Sequence, residues 1–134
     1  MRFRPLAVLG LAAGILLAGF IGIIAWLFFG PEIQERLQRR KFDAVEWRSA
    51  DPSRTNTRTR MVDDLLRSGQ LKGKSRAEVM ALLGQPRPVP GYFERSDLVY
   101  RVGPERGFIS IDSEWLVLQF DRSSNVVGVK IVTD

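Results

Sequence analysis

The sequence predicts an α+β protein: an N-terminal transmembrane helix followed by a small two-layer α-α-β-β-β domain, a three-stranded antiparallel sheet packed on two helices. Three observations predict it. Leu6 to Phe29 is an unbroken apolar run, two later segments show helical periodicity with explicit start and stop residues, and the last third of the chain shows three runs of period-two alternation.

The apolar run comes first. Its 24 residues carry no charge, and at ~1.5 Å rise per residue they make a helix of about 36 Å, enough to span a ~30 Å hydrocarbon core with some tilt. A cleaved signal peptide has an apolar region of only ~7–15 residues and ends in small residues, whereas this run ends in Trp26-Leu27-Phe28-Phe29, aromatics suited to a membrane interface. Leu17-Ala18-Gly19 resembles the start of a lipoprotein box, but Phe20 stands where the lipid-bearing Cys would be. The expectation is an uncleaved anchor over residues 1–30.

Residues 31–60 are expected to hold a juxtamembrane helix and a linker. Pro31 suits a first helical position, and Ile33, Leu37, Ala44 and Val45 recur on one broad face up to about Trp47. The basic cluster Arg39, Arg40 and Lys41 is a candidate lipid-binding site for anionic head groups, weighed against a solvated basic turn that stops the anchor. Ser49 to Arg60 has one Ala as its sole apolar residue and reads as a linker.

The folded domain is expected over residues 61–134. Met61, Val62, Leu65 and Leu66 form an apolar stripe stopped by Gly69. Ser75 and Glu78 fit a capping box, Val79, Leu82 and Leu83 form the face that follows, and Gly84 with Pro86 ends the helix. Pro86 to Ser96, with Pro88, Pro90 and Gly91, reads as a crossing loop. Leu98–Val102, Trp115–Phe120 and Val126–Val132 alternate as strands, with Val127, Val129 and Ile131 expected on one face. Asp121 to Asn125 is the hairpin loop, Asn125 its expected left-handed residue.

Composition narrows the function. The 134 residues include no His and no Cys, which removes disulfides, thiolate or imidazole metal sites, Cys nucleophiles and Ser-His-Asp triads. No metal and no cofactor are expected. The net charge of +5 resides in residues 1–60, because residues 61–134 carry ten basic and ten acidic side chains. A duplex-binding domain needs its positive charge on the folded surface, so no nucleic-acid partner is expected.

Gly73-Lys74-Ser75 mimics the end of a phosphate-binding loop, but Ser68 stands where that motif requires Gly. Ser75 is better used as a helix cap. Glu105, Asp112 and Glu114 could supply acid and base, yet carboxylates in turns and at strand starts are ordinarily exposed turn formers. Tyr92, Phe93 and Phe108 fall outside the strand patterns, so they either plug the ends of a thin core or anchor a partner.

Leu71-x-Gly73-x-Ser75-x-x-Glu78-Val79-x-x-Leu82-Leu83-Gly84-x-Pro86, then a proline-bearing loop, then Trp115 to Asp121 and a Val-rich last strand, resembles the SmpA/OmlA family, the BamE-like domain of outer-membrane assembly factors. The resemblance covers about Met61 to Asp134. It implies a non-enzymatic interaction module of the bacterial cell envelope. Phe20 at the would-be lipidation site departs from the lipoprotein members and implies retention in the cytoplasmic membrane.

The expected protein is therefore a single-pass inner-membrane protein that contacts lipid through its anchor and presents a periplasmic domain to an envelope protein partner. Phe93, Arg106 and Phe108 are the candidate partner-binding residues, since Arg and aromatics dominate binding hot spots. The alternative is a cytoplasmic-facing module that binds anionic lipid or a cytosolic protein. A strict count of basic residues beside the run favours that orientation, while Glu32 with Arg36 and Glu35 with Arg39 are spaced to pair four residues apart along a helix.

Overall fold

The structure, a computed structural model, describes residues 5–87, 98–107 and 110–134. Four helices precede three strands: α1 (Pro5–Leu37), α2 (Ala44–Ser49), α3 (Thr57–Ser68), α4 (Arg76–Leu83), β1 (Leu98–Pro104), β2 (Ser113–Phe120) and β3 (Val126–Thr133).

α1 is a single helix of 33 residues that continues through Pro31. Its segment Leu9–Leu37 is long and apolar enough to cross a membrane, and among the described residues its large apolar side chains, Leu9, Leu16 and Phe20 among them, are exposed. A surface of that kind is stable against lipid or another apolar partner, not against water.

The helix expected from Pro31 to about Trp47 is divided in two. α1 stops at Leu37, and α2 starts afresh at Asp43, whose side chain accepts from the Glu46 amide at 2.8 Å. The break is held by α3: the Arg40 amide donates to the Arg60 carbonyl at 2.9 Å, and the Phe42 amide to Asp64 Oδ2 at 2.8 Å. α2 thereby delivers Trp47 into the core, fully buried, with its ring 5.8 Å from that of Phe42. The layer behind the sheet has three helices rather than the expected two.

The stretch expected to be a linker is likewise folded. Asp51 closes a turn by accepting from the Ser53 amide at 2.9 Å, and the residues from Thr57 onward are the first turn of α3. Its polar composition conceals this because side-chain hydrogen bonds hold the turn and the residues buried there, Pro52 and Thr59, are not large apolar ones. α3 buries Met61, Val62 and Leu65 and ends at Gly69, which takes the left-handed conformation (φ 66°). α4 carries the expected capping box, with Ser75 and Glu78 each bonding the other's backbone amide.

The sheet is a meander of order β1-β2-β3, antiparallel throughout. Leu98, Tyr100 and Val102 of β1 and Leu116 and Leu118 of β2 face the helices and join Trp47, Met61, Leu65, Val79 and Leu83 in one cluster. On β3 the inward set differs from the expected one. A register shift between Gln119 and Phe120 places Val126 opposite Phe120, so Val126 is buried and Val127 is 59% exposed, while Val129 and Ile131 pack on the core. Val99 and Val117, on the opposite face, are buried outside that cluster. A Cβ on Gly103 would collide with Thr59 Oγ1, so only glycine lets β1 pass this close to the first turn of α3.

In the hairpin loop the left-handed residue is Ser124 (φ 62°), not Asn125, which instead pairs with Ser75. The loop is docked on the start of α4: the Gly73 amide donates to the Val126 carbonyl at 2.9 Å and the Arg76 amide to the Ser124 carbonyl at 3.2 Å. Those amides are spent inside the fold, which removes them from any phosphate-cradling role.

Candidate functional site

The loop that leaves β1 is closed at its base by the Glu105 amide, which donates to the Asp112 carbonyl at 2.8 Å. That closure sets Arg106 over the start of β2. Its Nε lies 2.9 Å from both carboxylate oxygens of Glu114, and its Nη1 donates to Asp63 Oδ1 on α3 at 2.9 Å and sits 3.6 Å from Glu35 Oε1 on α1. Asp63 in turn holds Arg39 Nε at 3.0 Å. One cluster thus joins the end of the apolar helix, the segment after it, a helix of the domain and a strand.

The Arg106 side chain is 20% exposed and that of Glu114 8%. Burial alone would lower the Arg106 pKa, but the hydrogen bonds and charges of Glu114 and Asp63 outweigh it and raise it. Arg106 is therefore a fixed cation at all ordinary pH, and its work here is to clamp. Arg106, expected as an outward anchor, is committed to intramolecular pairs. Glu114, expected as an exposed turn former, is buried in one of them. Phe93 and Phe108, the other two expected contact residues, lie outside the described residues.

The basic cluster is also partly engaged. Arg39 pairs with Asp63 rather than with Glu35, and Arg40 Nη2 lies 2.9 Å from Glu46 Oε2, leaving Lys41 exposed and without an ion pair among the described residues. Of the two spaced pairs on α1, Glu32 with Arg36 forms, at 3.0 Å. Beside the clamp, a cleft of about 390 Å³ opens between Pro31, Gln34 and Glu35 of α1, Asn56 and Arg60 near the start of α3, and Arg106.

Sequence reasoning missed Asp63, Glu35 and Glu114 as the partners of Arg106. Arg106 and Asp63 are 43 positions apart, and nothing local marks such a pair. No group of three or more Asp or Glu side chains among the described residues is placed to hold a metal ion.

Fold and cluster together define a small α+β domain carried directly on the end of a long apolar helix. Set against known proteins, the chain matches no family model, no curated protein and no solved structure.

Proposed function

We propose that this protein is a single-pass membrane-anchored, non-enzymatic interaction module of the bacterial cell envelope, with its domain on the periplasmic side and an envelope protein as its partner. The observation that carries the reading is the clamp: Arg106 ties Glu35 of the apolar helix to Asp63 and Glu114 of the domain. A domain held this way is presented in a set pose near the membrane surface rather than swinging on a tether. The likeness of residues 71–86 to SmpA/OmlA domains supports an assembly or scaffolding role, and the absence of His and Cys supports binding over catalysis. Binding falls to the segments that carry Phe93 and Phe108. Phe108→Ala then weakens capture of the partner while leaving the melting temperature in place, and loss of the folded state instead assigns Phe108 to the core.

Protease accessibility of a carboxyl-terminal tag tests the orientation. Cleavage once the outer envelope is opened supports the periplasmic domain; protection until lysis overturns it. The second outcome favours a cytoplasmic-facing module that binds anionic lipid or a cytosolic protein, a reading favoured by exposed Lys41 and the basic count beside the helix.

A further inference from the structure

A second groove, of about 460 Å³, lies away from the clamp beside β1, an edge strand of the described sheet. Arg48 from α2, Arg58 from α3, Arg87 after α4 and Arg101 from β1 line it, with Trp115 as a wall and Asp51 as the one lining carboxylate among the described residues. Among the described residues, four guanidiniums against one lining carboxylate is a local excess of positive charge.

Three of these arginines are fixed in place by uncharged acceptors. Arg58 donates from Nε to the Trp47 carbonyl at 2.9 Å and from Nη1 to the Arg101 carbonyl at 3.0 Å. Arg48 donates from Nη1 to the carbonyls of Ala81 and Leu82, both at 3.0 Å, and Arg101 donates from Nη2 to Ser113 Oγ at 2.9 Å. Such bonds orient a guanidinium without neutralising it, and the Asp134 carboxylate adds a through-space attraction to Arg101. Arg101 also keeps a buried Nε that has no acceptor among the described residues. Asp51 offsets this charge only in part: it accepts from the amide and hydroxyl of Ser53, sits 3.7 Å from Arg54 outside the groove lining, and attracts Arg58 and Arg87 through space. The Arg58 guanidinium is held below its usual pKa range, first by burial and then by the like charge of Arg87.

We propose that this groove is a binding site for a phosphate-bearing ligand, a phosphate or diphosphate ester whose oxyanions bridge the arginines. Planar guanidinium forks match phosphate oxygens two at a time, and an anion supplies the charge that the groove lacks. The phosphate belongs either to a soluble ester or to a lipid head group; the recognition chemistry is the same. The inference goes beyond the proposed interaction role and does not depend on the domain's orientation.

The test is calorimetric titration of inorganic pyrophosphate into the full chain held in nanodiscs of zwitterionic phosphatidylcholine. The expected result is saturable binding that Arg87→Gln weakens at least about tenfold with the melting temperature unchanged, since that side chain is exposed and makes no hydrogen bond or ion pair among the described residues. Arg122→Gln, the same charge change on the exposed hairpin loop, leaves the affinity within about twofold. Absence of saturable binding overturns the proposal, as does an equal effect of the two substitutions, which marks mere attraction to net charge. Nanodiscs containing phosphatidylglycerol separate the sources: weaker pyrophosphate binding there identifies a head group as the competing ligand, and unchanged binding identifies a soluble ester.

Discussion

Arg106, in the loop after β1, stands 3.6 Å from Glu35 on the last turn of the apolar helix. This contact ends a chain of pairs that begins at Glu114 in the sheet and runs through Arg106, so the helix and the domain share one electrostatic joint. Its members are unequal: Glu114 is deeply buried and bidentate, while Glu35 is longer-range and more exposed.

Arg106→Leu should be the costliest change in that joint. It strips the buried Glu114 of its cation and leaves Asp63 with Arg39 alone, a loss of about 2–4 kcal/mol once the partial exposure of the site is allowed for. Glu35→Gln should cost less than about 1 kcal/mol, because Arg106 keeps its two closer partners. Urea unfolding of both variants checks the ranking, and a smaller loss for Arg106→Leu than for Glu35→Gln would refute the clamp.

Trp47 belongs to the folded unit. Trp47→Ala should cost about 3–5 kcal/mol as a large core truncation. A fragment covering residues 61–134 lacks this side chain, the Arg58 that stacks on it at 5.1 Å and the first turn of α3, and should show no cooperative melt. A fragment covering residues 41–134 should melt cooperatively; calorimetry of the two decides.

Tyr100 links β1 to the exit of α4 by donating its hydroxyl proton to the Gly84 carbonyl at 2.8 Å. Burial pushes its pKa up from 10.0 to about 12, against the opposing pull of the Arg58 and Arg76 charges. A folded-state value above the unfolded one means stability is intact below pH 10 and lost as pH rises toward 12. Tyr100→Phe should cost about 1 kcal/mol at neutral pH and flatten that alkaline loss. Denaturation curves at stepped alkaline pH would show whether the wild-type slope disappears.

The capping box predicts the acid limb. Glu78 is held below its usual value of 4.5, first by the Ser75 amide and then by the Ser75 hydroxyl. A lowered folded-state pKa gives stability that is present above the usual value and lost as pH falls through the folded one. Glu78→Gln should therefore blunt the loss of stability below about pH 4.5. Ser75→Ala should cost about 1 kcal/mol at neutral pH. An acid titration of the melting temperature identical in wild type and Glu78→Gln would rule out this coupling.

Much of the fold was legible because its signals are local. A capping box, a glycine stop and period-two alternation each lie within a few residues, and the helix α4, the end of α3 and all three strands are found where those signals put them. Where local signals conflicted with tertiary ones, the latter won. Pro31 reads as a helix start, yet α1 runs through it, and Val127 alternates correctly with its neighbours until a one-residue shift in pairing turns it outward.

The sequence by itself determined an apolar helix long enough for a membrane, a sheet of three antiparallel strands and the residue types from which no imidazole or thiolate chemistry can be built. Only the tertiary structure decided that Trp47 enters the core, that Arg106 serves the joint with Glu35, Asp63 and Glu114, and that four arginines converge on one groove. The reason is distance along the chain. Periodicity and caps are written within one or two turns, whereas an ion pair between positions 43 apart exists only after the layers have packed.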